Sequence, residues 1–194
     1  MKPPTQRDVQ AETRRSQLLE AALRLFAERG VENISIKDLA AEIGTAQGLI
    51  YHYYASKDDL LLAVFQRYNP LPEMKAIIES LYGLPIEDGL LQFANGLTAL
   101  LEQKRHIFRL LARELLSPRS TLLDQVIPFR QELIQMMSGY FQERIEAGEL
   151  KPQQPLIAIH MLVSGFLILT LLDQPLEPFV PPILETLLKG IQKE

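Results

Sequence analysis

The side chains best suited to chemistry lie in one short stretch, residues 47–57, which reads QGLIYHYYASK. Four consecutive ring-bearing residues, Tyr51 to Tyr54, follow an amide at Gln47, and a cation comes after them at Lys57. An amide side chain can pair with a base edge, most naturally that of adenine, while hydroxyls and cations contact phosphate oxygens. These residue types therefore favour contact with a nucleic acid.

Two helices joined by a glycine turn must position this stretch. Ser35 is predicted to cap the first helix, with Asp38 completing a capping box three residues later, and Gly44 is predicted to end it. The second helix runs from about residue 46 to residue 54. Together they form a helix-turn-helix, whose second helix can enter the major groove of DNA.

The second helix is predicted to have two faces. Ile50 and Tyr54 lie four residues apart and can hold the helix on its neighbours, so the other side chains face outward. Gly48 would let the backbone approach DNA closely, and Leu49 can touch a thymine methyl group. The predicted DNA contacts on this helix are Gln47, Gly48, Leu49, Tyr51, His52 and Tyr53.

Lys57 lies in the first turn of the next helix, which Ser56 is predicted to cap. The helix dipole disfavours a cation at this position by about 0.3–1 kcal/mol. A contact with a DNA phosphate would explain why a lysine is found here. The alternative interpretation is a solvated lysine that is offset by Asp58 and Asp59.

Apolar residues recur at helical spacing along the rest of the chain, so the predicted fold class is all-α. A helix before the helix-turn-helix carries an apolar stripe that includes Leu18 and Phe26, and it stops at Gly30. Residues 69–72 and 83–85 interrupt the pattern. Later helices are predicted at about 85–103, 104–116, 120–147, 155–172 and 180–191, with Pro128 starting or kinking the third of these.

The resulting domain prediction places an N-terminal arm and the helix-turn-helix in residues 1–56. Residues 57–194 form a second, helical domain. The predicted DNA-binding region carries little positive charge. Residues 1–57 contain eight Lys or Arg and seven Asp or Glu, so their net charge is only +1. Non-specific DNA affinity should therefore be weak. Lys2, Arg7, Arg14 and Arg15 in the arm supply extra positive charge, unless the arm is a frayed tail.

The bulk composition excludes several classes of protein. The 194 residues are 47% hydrophobic with a net charge of -4, so a core forms but no global positive field attracts DNA or membranes. Without cysteine there is no disulfide or thiolate metal site, which fits a cytoplasmic location. Only three histidines exist, and none has an acidic partner at metal-binding spacing. We expect no catalytic site, metal or cofactor.

Residues 155–172 are almost wholly apolar, at the short edge of a membrane span. A helix buried on all sides in a protein core is the favoured interpretation, because His160, Ser164 and Gly165 interrupt the run. We therefore expect no membrane partner.

Residues 22–61 resemble the DNA-binding domain of the TetR family of transcriptional regulators. The shared residues are Leu25, Phe26, Gly30, Ser35, Ile36, Asp38, Leu39, Ala40, Gly44, Gly48, Tyr51, Tyr54, Ser56, Lys57 and Leu60. The resemblance implies a homodimeric repressor that binds a near-palindromic operator in double-stranded DNA and is released by a small-molecule effector. It also implies that Lys37 reaches the DNA and that Lys57 binds a phosphate.

Two positions depart from the family pattern. The turn has Thr45 and Ala46 where a small apolar residue and then a hydroxyl are usual, so the hydroxyl that caps the recognition helix moves to Thr45, which we add to the DNA contacts. The final aromatic residue is Tyr54 where phenylalanine is usual.

The resemblance further implies a ligand cavity in the C-terminal domain and a dimer interface made by the last two helices. Two such apolar helices from each chain can form a four-helix bundle. The predicted interface residues are Leu162, Phe166, Leu169, Ile183, Leu184, Leu187, Leu188 and Ile191. The predicted ligand contacts are Phe93, His106, Arg109, Tyr140 and His160, which suit an apolar or amphipathic molecule. The competing function is a helical dimeric adaptor, or a small-molecule binding protein, that has lost sequence-specific DNA binding.

Overall fold

The regular elements are α-helices and two short 3-10 turns within residues 5–117, 120–151 and 155–191, the parts of the chain that this computed structural model describes. The all-α prediction is confirmed. The helices are α1 (Gln6–Arg29), α2 (Ile36–Ile43), α3 (Gln47–Tyr53), α4 (Lys57–Tyr68), α5 (Leu71–Glu79), α6 (Ile86–Gln103), α7 (Arg105–Leu116), α8 (Leu123–Glu146), α9 (Pro155–Leu171) and α10 (Val180–Ile191).

The described residues group into two compact units. The first comprises the described residues up to Asn69 and those between His106 and Leu123, and the second comprises residues 70–105 and the described residues from Asp124 onward. In the first unit, α1 packs against α2 and α4 around fully buried side chains such as Phe26. In the second unit, α6 packs against α5, α9 and α10, and its core includes Phe93.

Capping interactions explain where the helices of the first unit begin and end. The Ser35 hydroxyl accepts a hydrogen bond from the Asp38 N–H, and the Asp38 carboxylate accepts one from the Ser35 N–H. Ser56 caps α4 by accepting from the Asp59 N–H at 3.0 Å. Gly44 ends α2 in the left-handed conformation, with φ of 69°, which glycine adopts without steric cost. These predicted boundaries are confirmed.

The predicted N-terminal arm is instead helical. α1 begins at Gln6, behind a capping box formed by Thr5 and Asp8, so Arg7, Arg14 and Arg15 lie on a helix. The apolar stripe of α1 starts only at Leu18. Apolar periodicity therefore could not predict the earlier turns of this helix. Lys2 lies outside the described residues.

Prolines account for two further differences between the predicted helices and the observed ones. α5 was missed because Pro70 and Pro72 suggest a break, yet proline is tolerated in the first turn, where the backbone N–H has no helical partner. α8 begins at Leu123, so Pro128 lies inside the helix and does not start it.

The apolar segment at the end of the second unit forms α9. Among the described helices, none combines the length and apolar character needed to cross a membrane.

Candidate nucleic-acid interface

The recognition helix α3 is held by its two predicted anchors. Ile50 is 1% exposed and Tyr54 is 6% exposed, so both side chains are buried in the first unit. The N–H of Tyr54 also donates to the Ile50 carbonyl and closes the last turn. This confirms the predicted inward face and fixes which side chains of α3 meet solvent.

The opposite face of α3 presents the predicted DNA contacts together. Gln47, Gly48, Tyr51 and His52 are exposed, while Leu49 and Tyr53 are partly exposed. Tyr51 keeps 53% of its surface in solvent, so its ring and hydroxyl are accessible to a partner. The rings of His52 and Tyr53 meet edge to face, with centroids 5.5 Å apart. The surface therefore offers an amide, hydroxyls and an imidazole on one side.

Thr45 does not cap the recognition helix. Ala46 occupies the N-cap position of α3 and provides no side-chain hydrogen bond. Instead, the Thr45 N–H donates to the Ala40 carbonyl at 2.9 Å, and the Gly44 N–H donates to the Ala41 carbonyl at 3.3 Å. This pair of bonds is the Schellman pattern that terminates a helix. Thr45 thus closes α2, and its role as a DNA contact stays a prediction.

Lys57 makes a contact that neither sequence interpretation contained. Its Nζ atom donates to the carbonyl of Val31 at 2.9 Å and to that of Ile34 at 3.3 Å, in a partly buried position. These two carbonyls belong to the segment that leads into α2. Lys57 therefore ties the start of α4 to the start of the helix-turn-helix. Lys37, by contrast, is exposed in the first turn of α2.

A groove of about 390 Å³ separates α1 from the helix-turn-helix within the first unit. Its lining includes Arg14 and Gln17 from α1, and Thr45, Leu49 and Tyr53 from the opposite wall. Three of the predicted DNA contacts therefore share a groove with the N-terminal half of α1.

The second unit contains a separate cavity of about 240 Å³. Its lining is mostly apolar and includes Met74, Ile78 and Met137, with Arg130 among the few polar side chains. Two predicted ligand contacts, Phe93 and His160, lie together there.

The other predicted ligand contacts lie elsewhere. Tyr140 is fully buried, and its hydroxyl hydrogen-bonds to the carbonyls of Leu84 and Pro85, so it acts in the core and does not line the cavity. His106 and Arg109 belong to the first unit, and neither lines this cavity.

The predicted dimer residues divide into two groups. Leu162, Phe166 and Leu184 are at most 6% exposed within a single chain, so they pack in its own core and their role in a dimer stays a prediction. The sequence did not indicate this burial, because a wholly apolar helix gives no sign of which face points inward. The partly exposed group is Leu169, Ile183, Leu187 and Leu188, and the side chain of Ile191 lies outside the described residues.

The outward face of α9 is nevertheless apolar. Ile157, Met161 and Ile168 are each more than half exposed, and Leu171 at the end of the helix is 36% exposed. These positions fall at intervals of four, seven and three residues, which places them along one stripe of the helix.

A buried anchor pair beneath an exposed, polar second helix is the arrangement expected of helix-turn-helix DNA-binding proteins. Comparison with known families agrees, because residues 18–64 match the sequence profile described as "Bacterial regulatory proteins, tetR family". Residues 18–64 of the chain are therefore similar to the tetR family of bacterial regulatory proteins.

Individual relatives extend this likeness. The HTH-type transcriptional repressor KstR2 of Mycobacterium tuberculosis is 38% identical over 84 residues, and this match covers 39% of the chain and 42% of the repressor. The chain thus spans about two fifths of the length of that relative. The HTH-type transcriptional repressor AcnR of Corynebacterium diphtheriae is 23% identical over 167 residues, covering 84% of this chain and 82% of AcnR.

Solved structures share the fold over nearly the whole chain. The structure of the ketosteroid transcriptional regulator KstR2 of M. tuberculosis superposes with a TM-score of 0.77 at 19% identity, covering 93% of this chain and 96% of that one. The transcriptional regulator FadR from Bacillus subtilis, in complex with stearoyl-CoA, superposes with a TM-score of 0.66 at 21% identity, covering 91% and 98%.

Proposed function

We propose that this protein is a ligand-responsive transcriptional repressor that binds a near-palindromic DNA operator as a homodimer. The observation that carries the proposal is the division of α3 into a buried side, at Ile50 and Tyr54, and an exposed side centred on Tyr51. A helix held in this way can present Gln47 to base edges and Tyr51 to phosphates. The repressors KstR2 and AcnR support the same function.

A homodimer explains the apolar face of α9. Exposed aliphatic side chains in a helical stripe are costly in water, and a second copy would cover them by a two-fold contact. Two copies would also place two recognition helices on half-sites about 34–36 Å apart, or one turn of DNA. Met161, which is 68% exposed, lies in the middle of this face.

The effector is proposed to bind in the cavity of the second unit. The apolar lining favours an apolar or amphipathic molecule, and Arg130 offers a charge to an anionic group. FadR, whose structure contains stearoyl-CoA, is consistent with such a ligand. Binding would favour the state whose recognition helices do not fit the operator, and DNA would weaken effector binding by the same factor.

DNA binding is tested directly with the region upstream of the protein's own gene. Fluorescence anisotropy would compare wild type with Tyr51→Ala and with Tyr51→Phe, which removes only the hydroxyl. We expect tight, competitor-resistant binding by wild type, a large loss in Tyr51→Ala and a smaller loss in Tyr51→Phe. If wild type does not bind the upstream region, a selection of bound fragments from genomic DNA tests whether it binds any specific sequence. A selection that enriches no sequence would refute the repressor and favour the adaptor.

The dimer is tested by introducing a charge into the proposed interface. Met161→Glu should produce monomers in sedimentation and weaken operator binding, because the two half-sites would then be bound independently. Leu91→Glu is the matched control, since Leu91 is an exposed leucine, 48% exposed, on a different helix, α6. Unchanged dimers in Met161→Glu would argue against this face.

A further inference from the structure

We propose that the N-terminal half of α1 is a second DNA-binding element, in which Arg7 and Arg14 contact backbone phosphates and Tyr54 positions the helix through Arg15. The inference rests on the proposed DNA binding of the helix-turn-helix. It divides three neighbouring arginines between two different roles.

The first three turns of α1 have no packing role of their own. Among residues 5–17 no side chain is buried, and the first buried residue of the helix is Leu18. A helical segment of this length is marginal in water without tertiary contacts. Specific polar contacts hold it instead: the Thr5–Asp8 capping box, and a bond of 3.4 Å from Arg67 to the Ser16 hydroxyl.

The third contact is the one between Arg15 and Tyr54. The Nε atom of Arg15 donates to the Tyr54 hydroxyl at 3.1 Å, and the guanidinium carbon lies 6.0 Å from the centre of the ring. Because the Tyr54 ring is buried at the end of α3, this bond fixes α1 relative to the recognition helix. The bond requires the hydroxyl that distinguishes Tyr54 from the phenylalanine of the family pattern.

Arg7 and Arg14 are the arginines available to an outside ligand. Within the described part of the chain, neither guanidinium group makes a hydrogen bond or an ion pair, whereas that of Arg24 pairs with Glu42. The acidic residues nearby are already engaged, since Asp8 belongs to the capping box and Glu12 lies 3.9 Å from Arg67.

The position of Arg14 places this charge beside the recognition residues. Arg14 lines the groove whose other wall carries Thr45, Leu49 and Tyr53. Arg7 lies seven residues earlier, on the same stripe of the helix and about 10 Å away along its axis. Two positive charges at this separation on an exposed helix can contact two different phosphates of the DNA backbone.

The test measures the salt dependence of binding to a short duplex of mixed sequence. Each phosphate contact contributes about 0.9 to the slope of log K against log salt, so losing one arginine from both subunits should lower the slope by about 1.8. Between 50 and 200 mM salt this corresponds to about a 12-fold smaller loss of affinity. Arg7→Ala and Arg14→Ala should each show this lower salt slope. Arg29→Ala is the control, because Arg29 is an exposed arginine at the other end of α1.

Tyr54→Phe tests the positioning role separately. The buried ring remains, so the fold should persist, but amide exchange in residues 6–15 should become faster and the slope should approach that of the arginine variants. Wild-type slopes in both Arg7→Ala and Arg14→Ala would overturn the inference and leave the proposed function standing. Unchanged exchange and slope in Tyr54→Phe would overturn the role given to Tyr54. Wild-type protein that binds no DNA at all would overturn both proposals.

Discussion

Replacing Lys57 by methionine tests whether this lysine stabilises the helix-turn-helix or binds DNA. Methionine keeps an unbranched apolar side chain and removes the ammonium that bonds the carbonyls of Val31 and Ile34. The change therefore separates α4 from the segment that leads into α2. It leaves the Ser56 cap in place.

The expected cost follows from the two hydrogen bonds. Bonds to charged groups contribute about 1.5–3 kcal/mol each when buried. Here the site is only partly buried, so hydrogen bonds to water would replace much of that energy. Removing a cation from the first turn of α4 would also stabilise the helix by about 0.3–1 kcal/mol, because the helix dipole disfavours a positive charge there. We expect Lys57→Met to lower the free energy of unfolding by about 1–2 kcal/mol.

Urea unfolding provides the measurement, with Lys37→Met as the matched control. Lys37 also lies in the first turn of a helix but is exposed, so its replacement should leave stability within about 0.5 kcal/mol of wild type. Salt titrations of DNA binding on the same proteins complete the comparison. A stable Lys57→Met protein whose salt slope falls by about 1.8 would refute the structural role and assign Lys57 to a phosphate.

The remaining predictions concern two glycines and a tyrosine. Gly48→Ala should stabilise α3 by about 0.5–1 kcal/mol, since an added Cβ meets open space, yet weaken operator binding by keeping the backbone away from DNA. Gly44→Ala should instead cost about 1–2 kcal/mol, because Gly44 has φ of 69°; urea unfolding compares the two. Burial raises the pKa of Tyr140 to about 12. Wild type should therefore lose stability relative to Tyr140→Phe as the pH rises from about 10, the unfolded value, towards 12, and unfolding at both pH values checks this. An equal pH dependence in the two proteins would contradict it.

The helix-turn-helix was predictable because its signals are local. Ser35, Gly44 and Ser56 each end or begin a helix through bonds to residues within five positions. The inward face of α3 followed from the spacing of Ile50 and Tyr54.

Features that depend on distant contacts could not be read in this way. The bonds from Lys57 to Val31 and Ile34 span more than twenty residues, and the bond from Arg15 to Tyr54 spans 39. Likewise, nothing in the sequence of α9 distinguishes buried Phe166 from exposed Ile168. Burial of a uniformly apolar helix is decided by its neighbours, and the pattern within it carries no information about them.

The apolar stripe on α9 also bears on how the protein folds at different concentrations. If a second copy covers Ile157, Met161 and Ile168, association contributes to the stability of each chain by mass action, and the melting temperature should rise with protein concentration. In a cell with few copies, unpaired chains would expose these side chains and be removed by proteases before they meet a partner. The amount of active regulator would then increase more steeply than the rate of its synthesis.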